Sequence, residues 1–298
     1  MTDYVPLTTA QLASFDVPQA TLDRNARECP LITLVGDSGQ GKTHTAGTIF
    51  EGMDYWPVLF IEGDDGASTI AEYLGDERVC LHRNYSRHKR PGEDDFEWFL
   101  RELRAAETAK CGSIIVEGIS RHYQAMVNEA LADRPDAKGF ALRALYLPAA
   151  NRTAAMLGAL QKTKRVRRKN GTGIPIIVTC NVKEETTKHA SGDEVKWNMP
   201  ALSPNKVRNW MELSDLFGEM RRDERGSELV VALEPPNLFR KCRSQVLTAE
   251  LRGKRNPSIP WILTRWAEIE DAAKTQGSPV IEQLLANAAA RKAAAINP

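Results

Sequence analysis

The chain has 298 residues, 27% charged and 42% hydrophobic, with 40 Lys and Arg against 39 Asp and Glu for a formal net charge of +1. That length supports one large domain or one domain with appendages, and the even charge balance excludes a globally basic nucleic-acid coat, so any nucleic-acid contact must be local. The five cysteines are scattered without metal-ligand spacing, which predicts reduced thiols in a cytoplasm; the absence of a long apolar run or a basic, apolar leader predicts neither membrane insertion nor secretion.

In chain order, the apolar run over 31–35 (LITLV) predicts a buried strand that feeds directly into Gly36-Asp37-Ser38-Gly39-Gln40-Gly41-Lys42-Thr43. A helix is predicted from near Lys42 to about Glu51. Further strands are predicted over 58–61, 114–116, 174–179 and 229–233, alternating with helical patterns over 95–109, 120–132 and 140–163. This alternation predicts an α/β fold with a mainly parallel central sheet, and right-handed crossovers place helices on both of its faces. Beyond residue 229 the pattern changes. An antiparallel addition is predicted from 229–233 and 245–251 around Pro235-Pro236, followed by C-terminal helices over 260–274 and 279–295. The expected organisation is an N-terminal extension over 1–29, a main domain over 30–255 and a helical tail over 256–298.

The spacing Gly36-x-x-x-x-Gly41-Lys42-Thr43 is that of a phosphate-binding loop. Gly36, Gly39 and Gly41 tolerate positive φ, so the loop can wrap until several backbone N–H groups converge on one phosphate. Lys42 is placed to reach the β- and γ-phosphates, Thr43 offers a hydroxyl to Mg²⁺, and the following helix adds its positive end. The predicted nucleotide-binding residues are therefore Gly36, Asp37, Ser38, Gly39, Gln40, Gly41, Lys42, Thr43 and His44, with ATP and Mg²⁺ as cofactors.

In an open α/β sheet the ligand sits at the carboxyl ends of the strands. Three predicted strand ends are polar there: Glu62-Gly63-Asp64-Asp65-Gly66, Glu117-Gly118 and Cys180-Asn181. Phosphoryl transfer needs an acid to hold Mg²⁺ or its waters, and hydrolysis needs a group that orients the attacking water. Glu62, Asp64 and Glu117 compete for these two tasks.

Together these motifs resemble the RecA-like P-loop NTPases, and among them the phage-encoded nucleotide-binding proteins that include single-strand-annealing recombinases. The resemblance spans about residues 30–250 and rests chiefly on the phosphate loop, with Glu62-Gly63-Asp64-Asp65-Gly66 and Glu117-Gly118-Ile119-Ser120 as looser matches. It implies catalytic roles for Lys42, Asp64, Glu117 and Asn181: phosphate contact, catalytic carboxylate, Walker B acid and γ-phosphate sensor. Thr43 and Glu117 would hold Mg²⁺. Glu stands at 117 where the family has Asp, and Asp at 64 where it has Glu, each shifted by one methylene, so nucleotide binding is more secure than hydrolysis.

The resemblance also implies single-stranded DNA as partner, a homo-oligomer, and the cytoplasm of a bacterial host, with no membrane association. Two segments supply DNA-contact candidates. Lys164, Arg165, Arg167 and Arg168 belong to a run of six cations in eight residues, although the topology puts it at the sheet edge opposite the nucleotide. Lys183, Lys188, Lys196 and Trp197 lie in a loop after the fourth predicted strand, where a Trp can stack on an unpaired base. A third basic run, HRNYSRHKR over 82–90, reads as a solvated face or a weaker contact. Arg240, Lys241 and Arg243 occupy the predicted hairpin, where the resemblance implies cations acting in trans on a neighbour's γ-phosphate. Two other readings use the same loop: a small-molecule or nucleotide kinase, and a nucleotide-gated adaptor that does not hydrolyse ATP.

Overall fold

The computed structural model describes residues 29–63, 66–132, 134–166, 172–188, 194–202, 210–231 and 240–275. Its strands are β1 (Leu31–Gly36), β2 (Val58–Glu62), β3 (Cys80–Asn84), β4 (Ser113–Glu117), β5 (Ile176–Lys188), β6 (Glu194–Pro200), β7 (Leu216–Asp223), β8 (Gly226–Val230) and β9 (Lys241–Cys242). The main helices are α1 (Lys42–Gly47), α2 (Asp95–Thr108), α3 (Ile119–Ala132), α4 (Gly139–Thr163), α5 (Gln245–Leu251) and α6 (Ile259–Thr275).

The sheet runs β3-β2-β4-β5-β1-β7-β8, with β6 paired to β5 and β9 to β7. Strands β3 to β1, and β1 with β7, are parallel, whereas β6, β8 and β9 join antiparallel. This is an α/β P-loop fold with an antiparallel edge, as the strand and helix alternation predicted.

Both faces of the sheet are covered, which explains the continuous apolar runs of its central strands. The pleat sends alternate residues to opposite sides. Leu31, Val35, Leu59, Ile61, Val116 and Val178 pack with Phe99 and Leu103 of α2 and with Leu157 of α4. Ile32, Leu34, Val58, Phe60, Ile115 and Ile177 pack with Ala46 of α1, with Ile49 and Phe50, and with Ile262 and Trp266 of α6. Truncating one of these fully buried Ile side chains to Ala costs about 2–5 kcal/mol. Helix α2 begins with a reciprocal capping box between Asp94 and Glu97, and this fixes the entry of its apolar face onto the sheet.

The structure departs from the predicted elements at several points, and β3, β6, β7 and β9 lie outside the predicted set. Residues 245–251 form helix α5 rather than a strand: Ser244 caps it by accepting the Leu247 N–H at 3.1 Å, and Leu247 and Leu251, spaced by one turn, are both fully buried. The antiparallel partner of β8 is β7, an element absent from the predicted set because Arg221, Arg222 and Asp223 break its apolar run. The helix after the phosphate loop is α-helical only through Gly47 and tightens into a 3-10 turn over Thr48–Glu51. Helix α6, in the predicted tail, packs into the main core through Ile259, Ile262, Leu263 and Trp266.

Candidate active site

Strand register brings the site together. Gly36 at the end of β1 is level with Asn181 on β5, and Glu62 is level with Glu117 across β2 and β4. Because β5 lies between β1 and β4, Asn181 stands between the phosphate loop and Glu117.

The loop follows its glycines. Gly39 has φ 78° and Gly41 φ 90°, the left-handed region that a side chain occupies only with strain. Gly36 serves differently, since its φ is ordinary and a Cβ there would approach the Met220 carbonyl oxygen at 2.9 Å, so this glycine is demanded by the neighbouring strand β7. Lys42, 93% covered, donates from Nζ to the carbonyl oxygens of Gly36 and Asp37, both at 2.8 Å, and so spans the loop mouth. The turn between β7 and β8 braces the loop from the other side: Ser227 Oγ donates to the Gln40 carbonyl at 3.2 Å, and the Arg222 N–H donates to Gln40 Oε1 at 2.5 Å.

Thr43 Oγ1 donates to Glu117 Oε1 at 3.2 Å, so the hydroxyl and carboxylate predicted to share Mg²⁺ converge. Glu117 is 4% exposed, and a Cβ on Gly66 would sit 2.8 Å from its carboxyl carbon; only a glycine in the turn after β2 leaves the carboxylate its place. Gly118, with φ 71°, turns the chain away immediately and donates its N–H to Thr179 Oγ1 at 2.8 Å. The Asn181 N–H donates to Ser120 Oγ at 3.2 Å, tying β5 to the start of α3. Mg²⁺ sites of this kind take one or two protein oxygens and complete their shell with phosphate and water, so Thr43 and Glu117 fit such an ion.

Glu62 is engaged elsewhere. Its Oε1 accepts the Ala67 N–H at 3.0 Å, and its Oε2 accepts from Asn84 Nδ2 at 2.6 Å and lies 2.8 Å from His82 Nε2. Of the two described acids at these strand ends, Glu117 therefore meets Thr43. Asp64 lies outside the described residues.

A cavity of about 380 Å³ opens over the loop, lined by Ser38, Gly39, Gly41, Lys42, Thr43, His44, Glu117, Asn181 and, unforeseen in the sequence, Thr69 and Arg222. Asp37 is exposed at the loop's outer turn, and Gln40 forms its brace. Thr69 and Arg222 carry no motif; an arginine at a strand end beside the loop was the only available signal, and it required β7 to be recognised.

The remaining candidates are dispersed. Lys164, read as a DNA contact, is 98% covered and bonded to Asp215 Oδ2 at 2.8 Å, at the edge where Asp215 also accepts the Leu31 N–H and hence opposite the phosphate loop. Arg165 is exposed at the same edge, and Arg167 and Arg168 lie outside the described residues. Lys183 and Lys188 sit on β5, and Lys196 and Trp197 on β6, in register with Thr186 and Glu185 respectively. Arg240, read as acting on a neighbouring subunit, is 99% covered and bonds Glu219 of its own chain from Nε at 3.1 Å. Lys241 donates to the carbonyl oxygens of Met211 and Glu212, and Arg243 pairs with Asp215 at 2.7 Å. Arg240 is thus buried against Glu219 of its own chain, and Lys241 and Arg243 are also engaged with groups of the same chain.

Burial pushes the thiol of Cys180, the residue between Thr179 and Asn181, up to about 12, so it stands by the site as an inert, protonated group. No described helix is long and apolar enough to cross a membrane.

No protein-family model and no curated protein matches the chain. Among solved structures, EscN, the ATPase of the enteropathogenic E. coli type III secretion system, aligns at 15% identity and TM-score 0.38 over 65% of this chain and 43% of that one. EscN assembled with its central stalk EscO aligns at 13% identity and TM-score 0.42 over 86% of this chain and 55% of that one. The flagellar accessory protein FlaH of Methanocaldococcus jannaschii aligns at 12% identity and TM-score 0.36 over 71% and 82%. The chain spans about half the length of the secretion ATPases it matches.

Proposed function

We propose that this chain is a Mg²⁺-dependent, RecA-like P-loop ATPase that acts on single-stranded DNA in phage recombination, annealing or replication, as a homo-oligomer in the cytoplasm of a bacterial host. The observation that carries the nucleotide part is the Thr43 to Glu117 contact of 3.2 Å at the mouth of a loop with two left-handed glycines. Bound Mg²⁺ would neutralise charge on the β- and γ-phosphates. Lys42 would exchange its loop carbonyl partners for phosphate oxygens, Glu117 would fix the ion's position through its carboxylate, and Asn181 would sense the terminal phosphate from between them. The acid at Asp64 is retained in this proposal as the group that orients the attacking water.

The DNA part is supported by the course of β5. After reaching the nucleotide edge at Asn181 it continues to Lys188 and returns as β6, a hairpin that reaches roughly 20 Å beyond the parallel sheet at about 3.3 Å per residue. Lys183, Lys188, Lys196 and Trp197 therefore belong to an element rooted beside the phosphate loop, whereas Lys164 is buried at the far edge.

Phosphate release from ATP, measured with and without single-stranded DNA, tests both parts. The expected result is DNA-stimulated hydrolysis that vanishes in Lys42→Ala and loses its DNA stimulation in the combined Lys188→Ala and Lys196→Ala variant. Phosphate transfer to a nucleoside, indifferent to DNA, would replace this reading with a kinase; tight ATP binding without turnover would replace it with an adaptor.

A further inference from the structure

Strand β7 flanks β1 on the side away from Glu117 and carries two adjacent arginines at its end. The pleat separates them. Leu216 and Met220 pack on the face shared with Ala46, Ile49 and Phe50, while Phe217 packs on the opposite face. Arg221 follows Phe217 and Glu219 in that alternation, and its Nη2 lies 3.2 Å from Glu219 Oε2. Arg222 follows Met220, so it projects on the phosphate-loop face, one pleat beyond Met220, whose carbonyl oxygen a Cβ at Gly36 would meet at 2.9 Å.

Three observations then converge on Arg222. Arg222 lines the cavity that is also lined by Lys42, Thr43, Glu117 and Asn181. Its backbone is fastened to the loop through Gln40 Oε1, which fixes where the side chain starts. The nearby acids are engaged with other cations: Asp223 with Arg255 at 2.9 Å, Glu228 with Arg255 at 3.6 Å, and Glu219 with Arg240. Among the described residues the Arg222 guanidinium has no ion-pair partner, and Arg222 borders the cavity over the phosphate loop.

We propose that Arg222 is a cis-acting cation for the terminal phosphate of the bound nucleotide, supplied by the same chain that holds the phosphate loop. The proposal rests on the nucleotide-binding reading above and adds to it a residue that distinguishes triphosphate from diphosphate. In hydrolysis the water oxygen bonds to the terminal phosphorus as the bond from that phosphorus to the bridging oxygen breaks; ADP leaves with the electron pair, and the water's proton passes to the released phosphate or to solvent. Negative charge on the transferring group is then met by Lys42 and the α1 end on one side and by the planar, bidentate fork of Arg222 on the β7 side. This also accounts for a phosphate loop braced to a hairpin, because the brace places the guanidinium.

The test compares dissociation constants of the full chain for ADP and for the non-hydrolysable ATP analogue AMP-PNP, both with Mg²⁺, by fluorescence titration of labelled nucleotide. Arg222→Ala leaves the backbone bond to Gln40 in place and removes only the guanidinium. It is expected to weaken AMP-PNP by about 10- to 100-fold, the range of a charge-assisted hydrogen bond, and ADP by less than about twofold. Arg222→Lys is expected to recover part of the loss. Gln40→Ala, which loosens the brace that places the guanidinium, is expected to weaken AMP-PNP more than ADP, by a smaller factor than Arg222→Ala does. Equal losses for ADP and AMP-PNP in Arg222→Ala, or no loss, overturn the proposal. A wild-type chain that binds neither nucleotide overturns the nucleotide reading itself, and this proposal with it.

Discussion

Thr43 and Glu117, 74 positions apart in the chain, meet at 3.2 Å between hydroxyl and carboxylate because α1 begins immediately after the phosphate loop and β4 ends two strands away at the same sheet edge. Under the proposed function the carboxylate there serves an ion rather than the fold, and the two roles separate experimentally. Glu117→Gln keeps the shape and a hydrogen-bond partner for Thr43 but removes the charge. Nucleotide binding is expected to stay within about tenfold of wild type while phosphate release falls by about 100-fold or more, the usual scale for losing a preorganised electrostatic group. Near wild-type turnover by this variant would show that another acid holds the ion.

Gly41→Ala addresses the loop itself. With φ at 90° and a new Cβ only 2.5 Å from Ser227 Oγ, the substitution meets both backbone strain and a clash. The left-handed conformation alone costs about 1–2 kcal/mol for an L-residue, so the melting temperature should fall and nucleotide affinity should drop at least tenfold. Adding Ser227→Ala removes the hydroxyl but not the strain, and should recover only part of the melting temperature. Full recovery would mean that φ is not the constraint.

Asp215 joins three partners at the far edge: Lys164 Nζ at 2.8 Å, Arg243 at 2.7 Å and the Leu31 N–H at 2.8 Å. Asp215→Ala removes the carboxylate that pairs with buried Lys164 and with Arg243, and should destabilise the chain by about 3–5 kcal/mol in urea unfolding. Lys164→Met combined with Asp215→Leu should be less destabilised than Asp215→Ala alone. Strong DNA-binding loss in a folded Lys164→Met variant would restore this residue as a contact.

Burial raises the thiols of Cys80, Cys111 and Cys180 to about 12 each, so the thiolate is scarce at pH 8. Alkylation of the native chain, followed by mass spectrometry, should leave these three unmodified for as long as the fold persists, and denaturant should expose all three together. Rapid labelling of native Cys180 would show that the β5 end opens.

The hydrogen-bonded Arg101 guanidinium beside Glu93 holds that carboxyl down at about 2. A depressed folded-state value contributes stability above the unfolded value, about 4.5, and that contribution disappears as the pH falls toward 2. Glu93→Gln should therefore be less stable than wild type at neutral pH and lose less stability between pH 4.5 and 2. Parallel pH profiles for the two proteins would exclude the linkage.

The central strands were legible because a strand buried on both faces needs an uninterrupted apolar run, and LITLV, VLFI and IIV are such runs. Strand β7 escaped because its outer half, Arg221 to Asp223, is polar where it leaves the core. In sequence, helix α5 reads as a strand because seven residues rich in Val, Leu and Thr suit either period, and the helix is decided by the Ser244 cap at its start and by the burial of Leu247 and Leu251. Lys164 and Arg240 illustrate the same limit for charge: a basic residue in a basic run reads as exposed until its buried acid, 51 residues away in one case and 21 in the other, is brought to it by the fold.

By itself the sequence determined the phosphate loop, because the positive-φ positions Gly39 and Gly41, the lysine and the threonine are contiguous and their geometry is local. It also determined the α/β class, since periodicity is a local property of each segment. Only the tertiary structure decided that Glu117 rather than Glu62 faces Thr43, that Arg240 is spent on Glu219, and that Arg222 reaches the same cavity as Lys42. Those outcomes depend on strand order and register, and a one-residue change in register sends every side chain of a strand to the other face.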